Sequence, residues 1–156
     1  MILKVYKIRP DAKLPVRAHP ADAGMDLFYC PSGNKKLYDC TKAYHIPPHS
    51  SRVLSTGLKM EIPYGYMLEV KNKSGIASKR QLLVGACVID AGYDGEIYVN
   101  LHNVGSETQI VRPGEKLAQA VMMPVAYCRV EEQPDDTRMN KHSERGAGGF
   151  GSTGDR

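Results

Sequence analysis

The chain has 156 residues, of which 42% are hydrophobic and 24% charged, with a formal net charge of +4. These are the proportions of an ordinary folded domain. The longest apolar run, Leu82 to Ile89, is far shorter than the roughly 18 residues a membrane-spanning helix needs. Basic residues outnumber acidic ones over 1–130, and the balance reverses over 131–156. No long basic run and no basic–aromatic interleaving occur, so no stable nucleic-acid binding is expected. A basic body with an acidic tail suits a small anionic ligand better. The N-terminus, Met1-Ile2-Leu3-Lys4, has no secretory core, so a cytoplasmic location without membrane attachment is expected.

The first extended segment is expected at Leu3 to Ile8. A turn-to-strand junction follows at Ala23-Gly24-Met25-Asp26-Leu27. After the Pro47-Pro48 turn, Arg52 to Ile62 reads as extended. Beyond Pro63-Tyr64-Gly65, the stretch Tyr66 to Lys71 places Tyr66, Leu68 and Val70 opposite Glu69 and Lys71. At most one short helix fits, near Ile76 to Gln81. Ile97 to His102 alternates with Ile97, Val99 and Leu101 on one face. The Arg112-Pro113-Gly114-Glu115 turn precedes a last extended stretch, Leu117 to Val125. Many short strands between turns predict an all-β barrel or sandwich. Two regions are expected, a β-barrel over 1–130 and a flexible C-terminal arm over 131–156.

Cys30, Cys40, Cys87 and Cys128 contain no C-x-x-C pair and read as free thiols. Cys87 and Cys128 stand in apolar runs and are expected to be buried. Cys30 and Cys40 are too far apart for a usual zinc site with His45 and His49. A polar surface loop, able to form a Cys30–Cys40 disulfide under oxidation, is the better reading.

Asp90 ends the apolar stretch Cys87-Val88-Ile89 and precedes the turn Ala91-Gly92-Tyr93-Asp94-Gly95. A carboxylate fixed there is placed to act as a general base; it could equally cap its own turn. Tyr93 could stack under a sugar or pack in the core. Asp26 reads as a solvated turn residue, or as a group holding magnesium-bound water if phosphates are near. Lys73-Ser74-Gly75 offers a cation, a hydroxyl and an unhindered N–H to a phosphate.

Residues 145–154 run Arg145-Gly-Ala-Gly-Gly-Phe150-Gly151-Ser152-Thr153-Gly154, a composition that buries too little apolar surface to order itself. It could be a loose end without a role. Yet Phe150, one of two phenylalanines in the chain, has no core to join, and successive glycine N–H groups beside Arg145, Ser152 and Thr153 can wrap a phosphate. Together they describe an arm that closes over a nucleotide.

In order, Ala23-Gly-Met-Asp-Leu, Lys73-Ser-Gly-Ile-Ala, Val88-Ile-Asp-Ala-Gly-Tyr-Asp-Gly, Gly114-Glu-Lys-Leu-Ala-Gln and the Arg145–Gly154 segment closely resemble the five motifs of the trimeric dUTPases. The resemblance covers nearly the whole chain. It implies a jelly-roll-like β-barrel, a homotrimer with active sites at subunit junctions, and magnesium-assisted hydrolysis of dUTP to dUMP and pyrophosphate. Through it, Asp90 would contact the deoxyribose 3′-hydroxyl and activate water. Tyr93 would pack beneath the sugar and exclude a 2′-hydroxyl. Asp26 would hold waters of the Mg2+ ion. Lys73, Ser74, Gly75 and Gln119 would bind the phosphates or the water. Phe150 would cap the uracil, while Arg145 and the Gly151-Ser152-Thr153 turn would grip the γ-phosphate. Backbone groups around Val84, Ala86 and Val88 would select uracil, because pairing to a buried backbone penalises the wrong exocyclic group.

Two positions depart from the family pattern. Lys73 replaces the usual Arg and loses bidentate geometry, and Cys87 replaces a glycine where backbone approaches the base. The Cys30–His49 segment is longer than a minimal family member needs and is a candidate contact for a protein partner. A dUTP-sensing regulatory protein is therefore the alternative reading. The related dCTP deaminases place a catalytic Glu where this chain has Asn100, and they lack the Phe-bearing arm.

Overall fold

The computed structural model describes residues 1–32 and 43–135. Cys40 and the arm residues Arg145, Phe150, Gly151, Ser152 and Thr153 lie outside the described residues. The chain divides into two units, Met1–Ala126 and Tyr127–Arg156. The described part of the second carries no strand or helix.

The first unit is built from short antiparallel strands. β1 (Lys4–Lys7) pairs with β5 (Leu58–Glu61), and β3 (Tyr44–Ile46) with β10 (Gln109–Val111). A four-stranded sheet runs in the order β2 (Gly24–Phe28), β11 (Lys116–Pro124), β6 (Tyr66–Lys71), β8 (Val88–Ile89). A three-stranded sheet runs β4 (Ser50–Ser55), β9 (Tyr98–Asn103), β7 (Leu82–Val84). The helix expected near Ile76 is α1 (Ser74–Arg80). Strands with one helix among the described residues make this the all-β architecture expected. Among the described residues, no helix is long and apolar enough to cross a membrane.

Period-two alternation places the core. Ile97, Val99 and Leu101 are buried to 1% exposure or less, as are Leu54, Leu68 and Leu117 from three other strands. Truncating such a leucine costs about 2–5 kcal/mol, through lost transfer free energy and the cavity left behind. Asn103 continues the inward face of β9 with a polar group. Its amide donates to the Ile46 carbonyl at 2.9 Å and the Glu107 carbonyl at 2.7 Å, and its oxygen accepts from Gly105 N at 3.0 Å. Burial is tolerated because the amide is satisfied.

Two expectations need correction. Arg52 to Ile62 is two strands, because Gly57 takes φ +73° between β4 and β5, a conformation that costs other residues energy. Cys87 is half-buried and Cys128 exposed, while Cys30 is the buried thiol. Val88 and its neighbours lie at a sheet edge, so an apolar run there does not mean burial on both faces. Burial pushes the Cys30 thiol up from its usual range, against the opposing pull of Arg9.

Candidate active site

β8 delivers Asp90 into a tight turn. Tyr93 N donates to the Asp90 carbonyl at 3.1 Å, so the main chain closes the turn. Among the described residues no hydrogen bond or ion pair engages the Asp90 carboxylate, which is exposed. The self-capping role is thus not what the side chain does. Tyr93 is not a core residue, since it stays 45% exposed. Its hydroxyl donates to the Glu96 carbonyl at 2.9 Å. Asp90 and Tyr93 line one cavity of about 180 Å³, together with Ala86, Val88, Ile89 and Glu96.

A second cluster forms where β2, β11 and the start of α1 meet. Asp26 is 3% exposed, not the solvated turn residue its sequence neighbours suggest. Lys73 Nζ donates to its Oδ1. Lys116 Nζ lies 2.6 Å from Oδ2 as an ion pair. Burial alone would raise the Asp26 carboxyl, but Lys116 and Lys73 hold it below its usual range. Gln119 is the cross-strand partner of Asp26 and donates to the Asn72 carbonyl at 2.9 Å. Ser74 and Gly75 open α1, exposed beside this cluster.

The segment after β7 is partly committed already. Val84 N donates to Asn72 Oδ1 at 2.7 Å, Gly85 N to the Asn100 carbonyl at 2.9 Å, and Val70 N to the Cys87 carbonyl at 2.7 Å. Val84, Cys87 and Gln119 line a wider cleft of about 700 Å³ with Asn72 and Gly24. The cavity holding Asp90 and Tyr93 contains none of Ser74, Gly75 or Gln119. Val70 lines both cavities, and neither is lined by Ser74 or Gly75.

A family model described as dUTPase matches residues 10–154. The chain belongs to the dUTPase family. A protein of Clostridium tetani called deoxyuridine 5′-triphosphate nucleotidohydrolase is 39% identical over 154 residues, covering 97% of this chain and 96% of that protein. The human mitochondrial protein of the same name is 36% identical over 156 residues, covering 99% of this chain and 55% of the longer human chain. The dUTPase of Staphylococcus bacteriophage 80alpha, solved as a variant with dUpNHpp, superposes with a TM-score of 0.78 at 26% identity and 98% coverage of each chain. A dUTPase variant from phage phi11 of Staphylococcus aureus, described with a structural Mg(II) ion, shares the fold at 24% identity and a TM-score of 0.75, covering 86% of this chain and 98% of that one.

Against this dUTPase frame, the sequence reading missed Asn72, Lys116 and Glu96. Asn72 precedes Lys73, and Lys116 lies within the Gly114–Gln119 motif, so proximity to a motif was the available signal. At the position where a deaminase would need an acid stands Asn100, whose amide donates to the Arg52 carbonyl at 3.3 Å. The described residues contain no cluster of three or more His, Cys, Asp or Glu able to hold a metal. The donor set suits magnesium only when phosphates provide the direct ligands. Asp26 could then accept from a metal-bound water, because magnesium keeps several waters.

Proposed function

We propose that this chain hydrolyses dUTP to dUMP and pyrophosphate, by water attack assisted by Asp90. The carrying observation is Asp90 itself: a carboxylate without a partner among the described residues, on a turn closed by main chain, above a cavity it shares with Tyr93. Asp90 contacts the deoxyribose 3′-hydroxyl and takes the proton from the attacking water. The P–O bond to the pyrophosphate leaving group breaks as the water oxygen adds to phosphorus. Tyr93 lies beneath the sugar and leaves no room for a 2′-hydroxyl.

Lys73, Ser74, Gly75 and Gln119 bind the phosphate chain. Lys73 and Lys116 are pre-positioned on Asp26, and one net positive charge remains on that trio to attract a polyanion. A magnesium ion, when bound with the triphosphate, neutralises charge that develops on the phosphates. Asp26 would hold waters of that ion. Main-chain groups around Val84, Ala86 and Val88 read the uracil; since Val84 N is already held by Asn72, that residue shapes the pocket while its neighbours do the reading.

The cavity of Asp90 and Tyr93 is lined by none of Lys73, Ser74, Gly75 or Gln119, which supports a complete site formed between copies in a homotrimer. Residues 1–130 form the catalytic barrel, and 131–156 form the arm that brings Arg145, Phe150 and the Gly151-Ser152-Thr153 turn over the nucleotide. A cytoplasmic location suits this role in keeping uracil out of DNA. Half of the Cys30–His49 segment proposed for a partner contact, residues 33–42, falls outside the described residues. The test is pyrophosphate release from dUTP, dTTP, dCTP and UTP, each with and without magnesium. Release confined to dUTP and strengthened by magnesium supports the reading; no release from dUTP defeats it.

A further inference from the structure

Glu96 is the most densely hydrogen-bonded side chain near the Asp90 cavity, and neither the composition nor the motifs single it out. Its Oε1 accepts from Arg9 Nη2 at 2.5 Å and from Gly57 N at 2.8 Å. Its Oε2 accepts from Arg9 Nη1 at 3.3 Å and from the Tyr98 hydroxyl at 3.2 Å. The carboxylate is thus gripped by a two-pronged guanidinium, by the glycine between β4 and β5, and by β9. Arg9 is itself tied down, since its Nη2 also donates to the Cys30 carbonyl at 2.8 Å. The side chains of Arg9 and Glu96 are 20% and 11% exposed, so the pair is shielded from much of the solvent that weakens surface ion pairs.

The same residue controls the tyrosine at the cavity. The Glu96 carbonyl accepts the Tyr93 hydroxyl, and the ring folds back across Gly95. A Cβ on Gly95 would lie 2.2 Å from the Tyr93 hydroxyl oxygen. The height of the ring is therefore set by the backbone of residues 95–96. That backbone is anchored by the Glu96 carboxylate on one side, and by Ile97 N donating to the Leu58 carbonyl at 2.8 Å on the other. Glu96 also lines the cavity itself.

We propose that Glu96, held by Arg9, is a positioning residue that fixes the Tyr93 ring and thereby sets the preference for a sugar lacking its 2′-hydroxyl. The inference rests on the reading that Tyr93 underlies the deoxyribose. Excluding one hydroxyl is a matter of about an ångström, and a displacement of that size commonly costs orders of magnitude in rate or selectivity. A tyrosine held only by its own turn would yield to the extra oxygen. Braced through Glu96 to the segment after β1 and to Gly57, it does not.

The experiment compares kcat/KM for dUTP and UTP in the wild type, Glu96→Ala, Glu96→Gln, Arg9→Met and Tyr93→Ala, each first checked for folding by circular dichroism. The dUTP:UTP ratio is expected to fall at least about tenfold in Glu96→Ala and in Arg9→Met. Glu96→Gln keeps one acceptor oxygen, for Gly57 N–H, and its NH2 can donate to the Tyr98 hydroxyl, so it should recover part of that loss, which general destabilisation would not predict. A ratio within twofold of wild type in folded Glu96→Ala overturns the proposal. If that variant does not fold, the same result in Arg9→Met overturns it. Tyr93→Ala separates the two levels: selectivity lost there but kept in the Glu96 and Arg9 variants removes only the positioning role. Selectivity kept in Tyr93→Ala removes the reading of the tyrosine on which it rests.

Discussion

Lys73 and Asp26 stand 47 positions apart, yet the lysine ammonium donates directly to the buried carboxylate. Lys116 approaches the other oxygen at 2.6 Å. Two strands, β2 and β11, and the start of the helix are thereby cross-linked by charge. The pairing holds two cations where the site would receive phosphates, and keeps Asp26 ionised despite its burial.

That relationship gives a stability signature in acid. The folded Asp26 carboxyl titrates below its ordinary value of 3.8, so its contribution is fully present above that value. It is lost as pH falls from there through the folded value. Asp26→Asn should destabilise the protein at pH 7 by about 1–3 kcal/mol, because two lysines lose their partner. The gap between variant and wild type should close below about pH 4. Denaturant midpoints measured from pH 7 to pH 3 check this, and a gap that widens in acid would refute it.

Asp90→Asn retains size and shape but cannot take up a proton as the carboxylate does. Turnover of dUTP should drop about 100-fold or more while the nucleotide still binds. Equilibrium binding of an unreactive dUTP analogue, beside steady-state rates, distinguishes lost chemistry from lost affinity.

Ending the chain after Gln133 should leave the barrel folded, since its strands and core all lie before Ala126. Efficient hydrolysis should vanish with the arm. Circular dichroism and rate measurements on the truncated chain test both halves; full activity would exclude a role for Arg145 and Phe150.

A site shared between copies requires an assembly. Light scattering should report close to three times the chain mass of 17.2 kDa. An active monomer would contradict the shared site.

Gly57→Ala places a Cβ 2.7 Å from the Ala12 Cβ at a backbone angle of φ +73°. A loss of about 1–3 kcal/mol is expected from strain and crowding, read as a lowered denaturant midpoint. The Glu96 carboxylate accepts from the same Gly57 N–H, so this variant should also disturb the Arg9–Glu96 pair.

Much of the barrel was readable along the chain. The alternation in Ile97 to His102 foretold which side of β9 is buried, because side chains on neighbouring positions of a strand point to opposite faces. The break at Gly57 was missed, since a single glycine in an extended stretch does not declare its φ. Cys87 misled because an apolar neighbourhood in sequence says nothing about which strand lies at a sheet edge, and Cys128 because it lies past the end of β11, in no strand. The turn that carries Asp90 and Tyr93 was legible in the sequence. Asp26 was legible as a position of interest, but its burial and its two lysines were not.

By itself, the order of residues determined the strand character, the short helix α1, the turn that presents Asp90 and the succession of motifs that marks the dUTPase family. Each of these is written in residues a few positions apart, where backbone geometry acts directly. Only the tertiary structure decided that Lys73 and Lys116 meet on Asp26, and that Arg9 reaches across 87 positions to Glu96. Such contacts depend on which strands pair and in what register, and that is settled by burial of the whole core rather than by any local preference.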